Sequence, residues 1–390
     1  MKYRTMGSTG DKVSVLGFGC MRLPVTGDGS DRTKIDEEVA IPMLREAIDA
    51  GVNYVDTAYP YHSNSFEEPG ESEPFVGRAL ADGYRDKVMV ATKLPPWLLQ
   101  SPDDMDRILD KQIERMQSGH IDNYLLHGLN KMFWPMLQNL GALQFLEKAM
   151  ADGRIKRAGF SYHDGPELFP EIVDAWDWDF CQIQYNYLDE QFQAGKAGLM
   201  HAAKKGMGIV VMEPLRGGSL SGELPGEAQE ALDGADTKRT NAEWALRWVF
   251  NHPEVSTVLS GMTEPWHAKE NVRVAGDATA ESLTQDELAR IDRVKVVFKE
   301  KLRVPCTQCR YCMPCPQGVD IPGNLGAYNE YFLFDTEGHR QMAKLFYSMI
   351  IGADAKADKC NACGQCLEHC PQEIQIPDEM VRAVEALGGE

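Results

Sequence analysis

Eight of the ten cysteines in this 390-residue chain lie between positions 306 and 370. They form two runs, CTQCRYCMPCP and CNACGQCLEHCP, and each run ends in Cys-Pro. The eight are Cys306, Cys309, Cys312, Cys315, Cys360, Cys363, Cys366 and Cys370. Thiols at every third position wrap a tight loop and converge on one point, which suits three corners of an iron-sulfur cubane and requires a fourth thiol from elsewhere. Disulfides are disfavoured, because cysteines three apart are poorly placed to pair and the opening MKYRTMGSTGDK has no export signal.

The second run repeats the pattern of bacterial two-cluster ferredoxins, in which the last cysteine serves the other cluster. The first run resembles it but has two residues, Met313 and Pro314, before its last cysteine. The resemblance implies two 4Fe-4S clusters. Their ligands would be Cys306, Cys309, Cys312 and Cys370 for one cluster, and Cys360, Cys363, Cys366 and Cys315 for the other. The zinc alternative would use two cysteine pairs per ion and leaves the regular triplets unexplained.

The first three-quarters of the chain contains eight short β-rich segments at roughly 30-residue spacing, each followed by an amphipathic helical pattern. The segments are residues 16–21, 53–58, 87–93, 122–128, 155–161, 180–186, 208–214 and 255–261. Eight such units predict an α/β fold of the (β/α)8 TIM-barrel type. The rival, a doubly wound sheet, would usually carry a Gly-rich fingerprint, and GFG at 17–19 lacks the rest of it.

Four reactive side chains occur at the ends of successive predicted strands or just after them. Asp56 ends the second strand, Tyr61 follows five residues later, Lys93 ends the third and His127 ends the fourth. Each has an ordinary alternative role, as a helix cap, a loop aromatic, a solvated cation or a core histidine. Because barrel strands point their carboxyl ends at one mouth, the four together predict an active site there.

At these residues the sequence closely resembles the aldo-keto reductases over about residues 1–300. Supporting motifs are GFGCMRLP, GESEPFVGRAL, GFSYHD, QIQYN, EPLRGG and KENV. The resemblance implies an oxidoreductase that uses NAD or NADP, extended across the barrel mouth, on a carbonyl or alcohol. The catalytic tetrad would be Asp56, Tyr61, Lys93 and His127.

The tetrad explains how a proton could reach a carbonyl oxygen. A free tyrosine has a pKa of ~10 and is a reluctant acid and base near neutrality. We expect Lys93, paired with Asp56, to bring the pKa of Tyr61 closer to the working pH, so that Tyr61 is the acid in reduction and the base in oxidation. His127 would orient the carbonyl.

Cofactor contacts follow only where the motifs match. The resemblance implies that Ser161 and Gln182 hold the nicotinamide carboxamide. Leu215, Arg216 and Gly217 would wrap the pyrophosphate, and Glu270 and Asn271 would lie beside the adenine. The sequence departs from the family on the nicotinamide side, at Tyr162 and Met212. Gly261 and His267 stand where the family commonly has basic residues that meet a 2′-phosphate, which leaves open whether NADP or NAD is preferred.

We predict two domains, the barrel at 1–300 and a mainly helical, ferredoxin-like iron-sulfur domain at 301–390. The segment between the cysteine runs carries aromatics and Leu at helical spacings, which predicts a core that packs the iron-sulfur domain against the barrel rather than a binding surface. Since Cys306 follows the barrel within five residues, we expect at least one cluster to lie near the barrel rim. Cys20 and Cys181 would be core residues, while Trp97 and Trp134 would line the substrate pocket or pack at the barrel edge.

Composition limits the partners. The chain has 40 Lys+Arg against 59 Asp+Glu, a net charge of -19 and a pI near 5.0, which disfavours nucleic acid. No stretch approaches the ~18 apolar residues of a membrane span, so we predict a cytoplasmic protein. The resemblance to the aldo-keto reductases implies a small-molecule substrate.

Three functions stay open. The first is a nicotinamide-dependent carbonyl reductase or alcohol dehydrogenase with auxiliary clusters. The second is a redox-linked enzyme that exchanges electrons with a ferredoxin-like partner. It would need an additional flavin or an electron-accepting substrate, neither of which the sequence identifies. The third is a non-catalytic binding or regulatory module.

Overall fold

The computed structural model describes residues 1–27, 31–306, 312–334, 336–370 and 372–388, and only the backbone of residues 346, 349 and 350. Its contacts divide the chain into two compact units. The first is Met1–Ser221 with Arg239–Leu283, and the second is Gly222–Lys238 with Thr284–Glu390.

The first unit contains a closed barrel of eight parallel strands, in the order β10-β3-β4-β5-β6-β7-β8-β9. The barrel strands are β3 (Leu16–Gly19), β4 (Tyr54–Asp56), β5 (Met89–Leu94), β6 (Ile121–Leu129), β7 (Ile155–Tyr162), β8 (Phe180–Gln184), β9 (Gly208–Met212) and β10 (Val255–Gly261). Nearly all their residues are buried, as is usual where helices cover a parallel sheet. Each strand falls within or beside a predicted segment, and the predicted TIM barrel is confirmed.

A two-stranded antiparallel hairpin precedes the barrel, formed by β1 (Tyr3–Thr5) and β2 (Lys12–Ser14). Its connection places Met6 in a buried cluster with interior residues of the barrel such as Tyr54 and Phe180. Gly208 faces this methionine, and a Cβ there would collide with the Met6 side chain. The hairpin therefore contributes to the barrel core, although the sequence pattern did not predict it.

Helices of the first unit follow the strands or connect them. They are α1 (Glu37–Asp49), α2 (Ser72–Ala79), α3 (Asp103–Met116), α4 (Phe133–Asn139), α5 (Ala142–Ala151), α6 (Leu168–Ala175), α7 (Gly195–Lys204), α9 (Asn241–Phe250) and α10 (Pro265–Asp277). The buried faces of these helices are apolar. In α1, for example, Ala40, Met43, Leu44 and Ala47 recur at helical spacing.

The second unit is helical. It comprises α8 (Gly226–Asp233), α11 (Gln285–Glu300), α12 (Ile321–Leu333), α13 (Glu337–Ile350) and α14 (Ile376–Leu387). A small buried core includes Val319, Leu325, Tyr347, Ile376 and Met380. The aromatic segment between the cysteine runs contributes to this core. Within the described ranges, no helix is long and apolar enough to cross a membrane.

Candidate active site

Lys93 lies between Asp56 and Tyr61 at the carboxyl end of the barrel strands. Its ammonium donates to both carboxylate oxygens of Asp56 at 2.8 Å and to the backbone carbonyl of Thr57 at 2.7 Å. The Tyr61 hydroxyl is 3.4 Å from the same nitrogen. Lys93 is fully buried and Asp56 is 2% exposed, so water screens this ion pair little. The structure thus brings these three predicted residues together.

Strand order explains this arrangement. β4, β5 and β6 are consecutive in the barrel, and Asp56 is the last residue of β4. Lys93 precedes the last residue of β5, and His127 lies two residues before the end of β6. The three side chains therefore come from adjacent strands, near the carboxyl end of each.

Tyr61 stands on the loop after β4, and Gly70 fixes the course of that loop. The Gly70 N–H donates to the Tyr59 carbonyl at 2.7 Å, and the Ser72 N–H donates to the Tyr61 carbonyl at 3.2 Å. A Cβ at position 70 would collide with the Tyr61 carbonyl oxygen, so only glycine fits this close approach.

Burial and charge set the protonation states of these groups. Burial raises the pKa of Tyr61 above its ordinary value, and the attraction of Lys93 only partly offsets this. Burial lowers the pKa of Lys93, but Asp56 and Tyr61 raise it more, so the ammonium form is favoured. Burial, assisted by the charge of Lys93, holds the pKa of His127 well below its usual range. At neutral pH the site thus presents a phenol, an ammonium and a neutral imidazole.

The predicted downward shift of the Tyr61 pKa is therefore wrong for the protein alone. Lys93 acts in the expected direction, but the desolvation of the phenolate outweighs it.

His127 faces an aromatic wall. Its ring centroid is 5.1 Å from that of Trp97 and 6.5 Å from that of Tyr61. The Trp97 indole N–H donates to the Phe66 carbonyl at 2.8 Å, which fixes the ring. Among the described residues, the buried Nδ1 of His127 has no hydrogen-bond partner. Trp134, in contrast, is 1% exposed and belongs to the core.

Ser161 and Gln182 are register partners on β7 and β8. The Ser161 hydroxyl oxygen accepts from the Gly128 N–H at 2.8 Å, and the Gln182 amide nitrogen contacts the Met212 sulfur at 3.6 Å. The buried Oε1 of Gln182 has no partner within the described residues. This orphaned acceptor beside a hydroxyl matches the donor and acceptor of a carboxamide, so the pair fits the group that the resemblance assigns to it.

In the loop after β9, groups predicted to bind the cofactor already contact carboxylates of the protein. The Gly217 N–H donates to the carboxylate of Glu213, which lies 3.9 Å from the Arg22 guanidinium. The Arg216 guanidinium lies 3.3 Å from the Asp189 carboxylate. The Leu215 carbonyl accepts from the N–H of two later residues and closes the turn. The groups predicted to wrap a pyrophosphate thus face carboxylates in the protein alone.

On the predicted adenine side, the side chains have partners within the protein. Asn271 donates to the Ser260 hydroxyl at 3.0 Å, which ties α10 to β10. Glu270 accepts from the Thr240 hydroxyl at 2.8 Å. His267 accepts the Glu264 N–H at 3.1 Å and so caps the start of α10.

A buried polar network behind Lys93 was not predicted. The fully buried carboxylate of Glu73 accepts from Thr92 at 2.8 Å, Gln112 at 2.7 Å and Arg115 at 3.0 Å. Gln112 also donates to the Lys93 carbonyl at 3.0 Å and accepts from the Tyr124 hydroxyl at 2.8 Å. In the sequence, Glu73, Gln112 and Arg115 look like residues on the solvated side of a helix. Only the position of Glu73 within GESEPFVGRAL sets it apart.

Five cysteines of the second unit line a cavity of roughly 200 Å³. Its lining includes Cys312, Cys315, Cys360, Cys363 and Cys366. Cys315 of the first run shares this cavity with three thiols of the second run, and so does Cys312, which the crossed ligand pattern assigns to the other cluster. The cavity is therefore consistent with a cubane held by these thiolates.

Outside this cavity, Cys306 and Cys370 pack against the same small core. Cys309 lies outside the described residues. No disulfide joins the described cysteines to one another, and in the same part of the chain no three His, Cys, Asp or Glu are placed to hold a single metal ion. Cys20 and Cys181 are fully buried in the barrel, as expected of core residues.

The barrel and its strand-end residues define a class of protein, and the comparisons with known families agree. The Aldo/keto reductase family model matches residues 15–296, so the chain belongs to this family of oxidoreductases. The 4Fe-4S dicluster domain model matches residues 305–374, and the C-terminal segment is such a domain.

Individual relatives share about a quarter of their residues with this chain. L-galactose dehydrogenase of Arabidopsis thaliana is 24% identical over 75% of this chain and 94% of its own length. NADH-specific methylglyoxal reductase of Escherichia coli (strain K12) is 24% identical over 70% of this chain and 93% of its own. The holo form of the aldo-keto reductase AKR11C1 from Bacillus halodurans superposes with a TM-score of 0.60 at 28% identity, covering 75% of this chain and 96% of that one.

Proposed function

We propose that the protein is a nicotinamide-dependent carbonyl reductase, or an alcohol dehydrogenase in reverse, in which Tyr61 transfers the proton. The observation that carries this proposal is the position of the Lys93 ammonium between the Asp56 carboxylate and the Tyr61 hydroxyl. A charged, buried lysine beside a phenol serves no packing purpose that an apolar residue would not serve better.

In reduction, Tyr61 donates its proton to the carbonyl oxygen as negative charge develops there. The Lys93 ammonium stabilises the phenolate left behind, and Asp56 keeps Lys93 charged and in place. His127, neutral and with an unpaired Nδ1, orients the carbonyl beside the Trp97 wall. Because burial raises the pKa of Tyr61, the phenol form prevails at neutral pH, so reduction is favoured there and oxidation increases as the pH rises.

Ser161 and Gln182 would hold the carboxamide of NAD or NADP, and the cofactor supplies the hydride that the carbonyl carbon accepts. Leu215, Arg216 and Gly217 would contact its diphosphate, and Glu270 and Asn271 would lie on its adenine side. The similarity to an enzyme named as NADH-specific supports a nicotinamide cofactor. The chain's own residues leave the choice between NAD and NADP open.

For the C-terminal segment we propose two 4Fe-4S clusters with the crossed ligand sets given by the sequence, within a domain at 301–390 that follows the barrel domain of residues 1–300 along the chain. Cys363 is exposed, so a cluster held in the shared cavity would lie close to solvent. This favours electron exchange with a ferredoxin-like partner in the cytoplasm as a second function. No residue identifies a flavin site.

Replacement of Tyr61 by Phe tests the reductase. We expect turnover to fall by about a thousand-fold with the dissociation constant of the nicotinamide dinucleotide unchanged. Tyr59→Phe is the matched control, because this tyrosine lies on the same loop and its hydroxyl makes one long hydrogen bond within the described residues, to the Glu67 carbonyl at 3.5 Å. Wild-type turnover in Tyr61→Phe would assign the proton transfer to another group.

Freeze-quench EPR tests the second function. The oxidised protein is mixed with reduced nicotinamide or with substrate, and cluster reduction is followed in time. Reduction at the rate of turnover would support a redox role. Silent clusters during normal carbonyl reduction would leave them structural.

A further inference from the structure

Arg115 of α3 links the loop that carries Tyr61 to the buried Glu73 carboxylate of α2. Arg115, on α3, donates to the Glu73 carboxylate at 3.0 Å and also to the Gly70 carbonyl. Gly70 lies against the Tyr61 carbonyl, where no Cβ fits. A continuous path of contacts therefore runs from α3 through Arg115 and Gly70 to Tyr61.

A second path from the same carboxylate reaches Lys93. Gln112 donates to Glu73 at 2.7 Å and to the Lys93 carbonyl at 3.0 Å. Thr92, the residue before Lys93, donates to Glu73 at 2.8 Å. Glu73 thus holds both the loop of the phenol and the strand of the ammonium.

We infer that Glu73 and Arg115 are positioning residues, which set the separation of the Tyr61 hydroxyl from the Lys93 ammonium. The inference rests on the proposed role of Tyr61. A fully buried carboxylate is costly unless each of its hydrogen bonds is made, and here three donors converge on it. Packing α2 against α3 would not by itself require a charge.

The Tyr61–Lys93 separation matters because four groups face the phenol. Lys93 favours the phenolate, whereas Asp56 and Glu213 oppose it, and the uncharged His127 ring lies edge-on to Tyr61. Lys93 is the one stabilising charge in this set. A loop that moves away from Lys93 therefore raises the pKa of Tyr61 further.

The test substitutes Glu73→Gln, which keeps the shape and removes the charge that holds Arg115. We expect the pKa of Tyr61 to rise by about one unit, because the phenolate loses part of the attraction of Lys93. The phenolate absorbance is titrated with pH in the wild type and in Glu73→Gln, each with and without the additional change Tyr61→Phe. Subtracting the curve without Tyr61 from the curve with it leaves the titration of Tyr61. We also expect kcat to fall by about ten-fold, with the dissociation constant of NADH unchanged.

Glu71→Gln is the matched control. This glutamate is exposed, lies two residues away and makes no capping hydrogen bond. Arg115→Lys is the second variant, because it keeps the positive charge but shortens the reach to Gly70. It should shift the Tyr61 titration in the same direction by a smaller amount, and it gives a result even if Glu73→Gln does not fold.

An unchanged Tyr61 titration in both variants would overturn the inference, even with normal reductase activity in the wild type. A shifted titration in a protein that reduces no carbonyl would leave the positioning role intact and refute the proposed function instead.

Discussion

The two candidate redox sites of this chain are built in different ways. In the barrel, Asp56, Lys93 and His127 are strand residues, and Lys93 is held by direct hydrogen bonds from its own ammonium. In the second unit, the described cysteines of the cavity lie in turns or irregular backbone above a small core. We therefore expect the barrel site to be organised by the polypeptide and the cysteine site to depend on what the thiolates bind.

Removal of iron should expose this difference most strongly. Metal binding can supply the folding free energy of a small domain, so anaerobic chelation should unfold the region of α12, α13 and α14 and leave the barrel folded. Intact protein should contain about eight iron and eight sulfide per chain. Hydrogen exchange should then show lost protection in these three helices and unchanged protection in the barrel strands.

Two results would contradict this contrast. Stoichiometric zinc without sulfide would refute the clusters. Helices that stay protected after iron loss would show that the small core is sufficient without them.

Loss of one partner of the buried ion pair should have the next largest effect. Lys93→Met leaves the Asp56 carboxylate buried without its cation, and we expect a loss of about 3–5 kcal/mol in the free energy of unfolding at neutral pH. Lys87→Met is the matched control, because Lys87 and Asp49 form an exposed pair at 2.9 Å, and its stability should not change measurably.

The pH dependence of this variant gives a second check. Burial raises the pKa of Asp56, and the removal of Lys93 takes away the charge that opposed this. An acid with a raised pKa in the folded state destabilises that state when ionised. The loss in the free energy of unfolding is thus complete at neutral pH, and it shrinks as the pH falls through the pKa of Asp56 in the folded variant. The free energies of unfolding of variant and wild type are measured by denaturant titration. A difference between them that stays constant from neutral to acidic pH would contradict this expectation.

The sequence predicted the barrel because its strands are short apolar runs at regular spacing, each followed by a helix. The hairpin β1–β2 escaped prediction because its strands have only three residues each and β1 alternates weakly. Its contribution, the insertion of Met6 into the barrel, depends on a contact with residues far along the chain.

Strand ends likewise predicted which residues of the candidate site would meet, but not how their surroundings act on them. The direction of the Tyr61 pKa depends on the burial of the hydroxyl, which no spacing pattern reveals. Glu73, Gln112 and Arg115 were missed because charged and amide side chains on α2 and α3 predict a solvated face. The structure places all three against the back of the active site.

The smallest predicted effect concerns the loop after β9, where a carboxylate of the protein lies against a group predicted to contact the diphosphate. Glu213 accepts the Gly217 N–H and lies 3.9 Å from Arg22, so a bound diphosphate would compete with this carboxylate for both groups. Glu213→Gln should therefore tighten the binding of NADH by about three- to ten-fold at low salt, and the gain should shrink as ionic strength rises. The measurement is a fluorescence titration, which requires no turnover.

Glu281→Gln is the control, because this exposed glutamate has the same left-handed φ of 54° and therefore the same backbone cost. Equal or weaker NADH binding in Glu213→Gln would mean that the carboxylate does not lie where the diphosphate binds, and that this loop, unlike the rest of the barrel site, takes its final form only with its ligand.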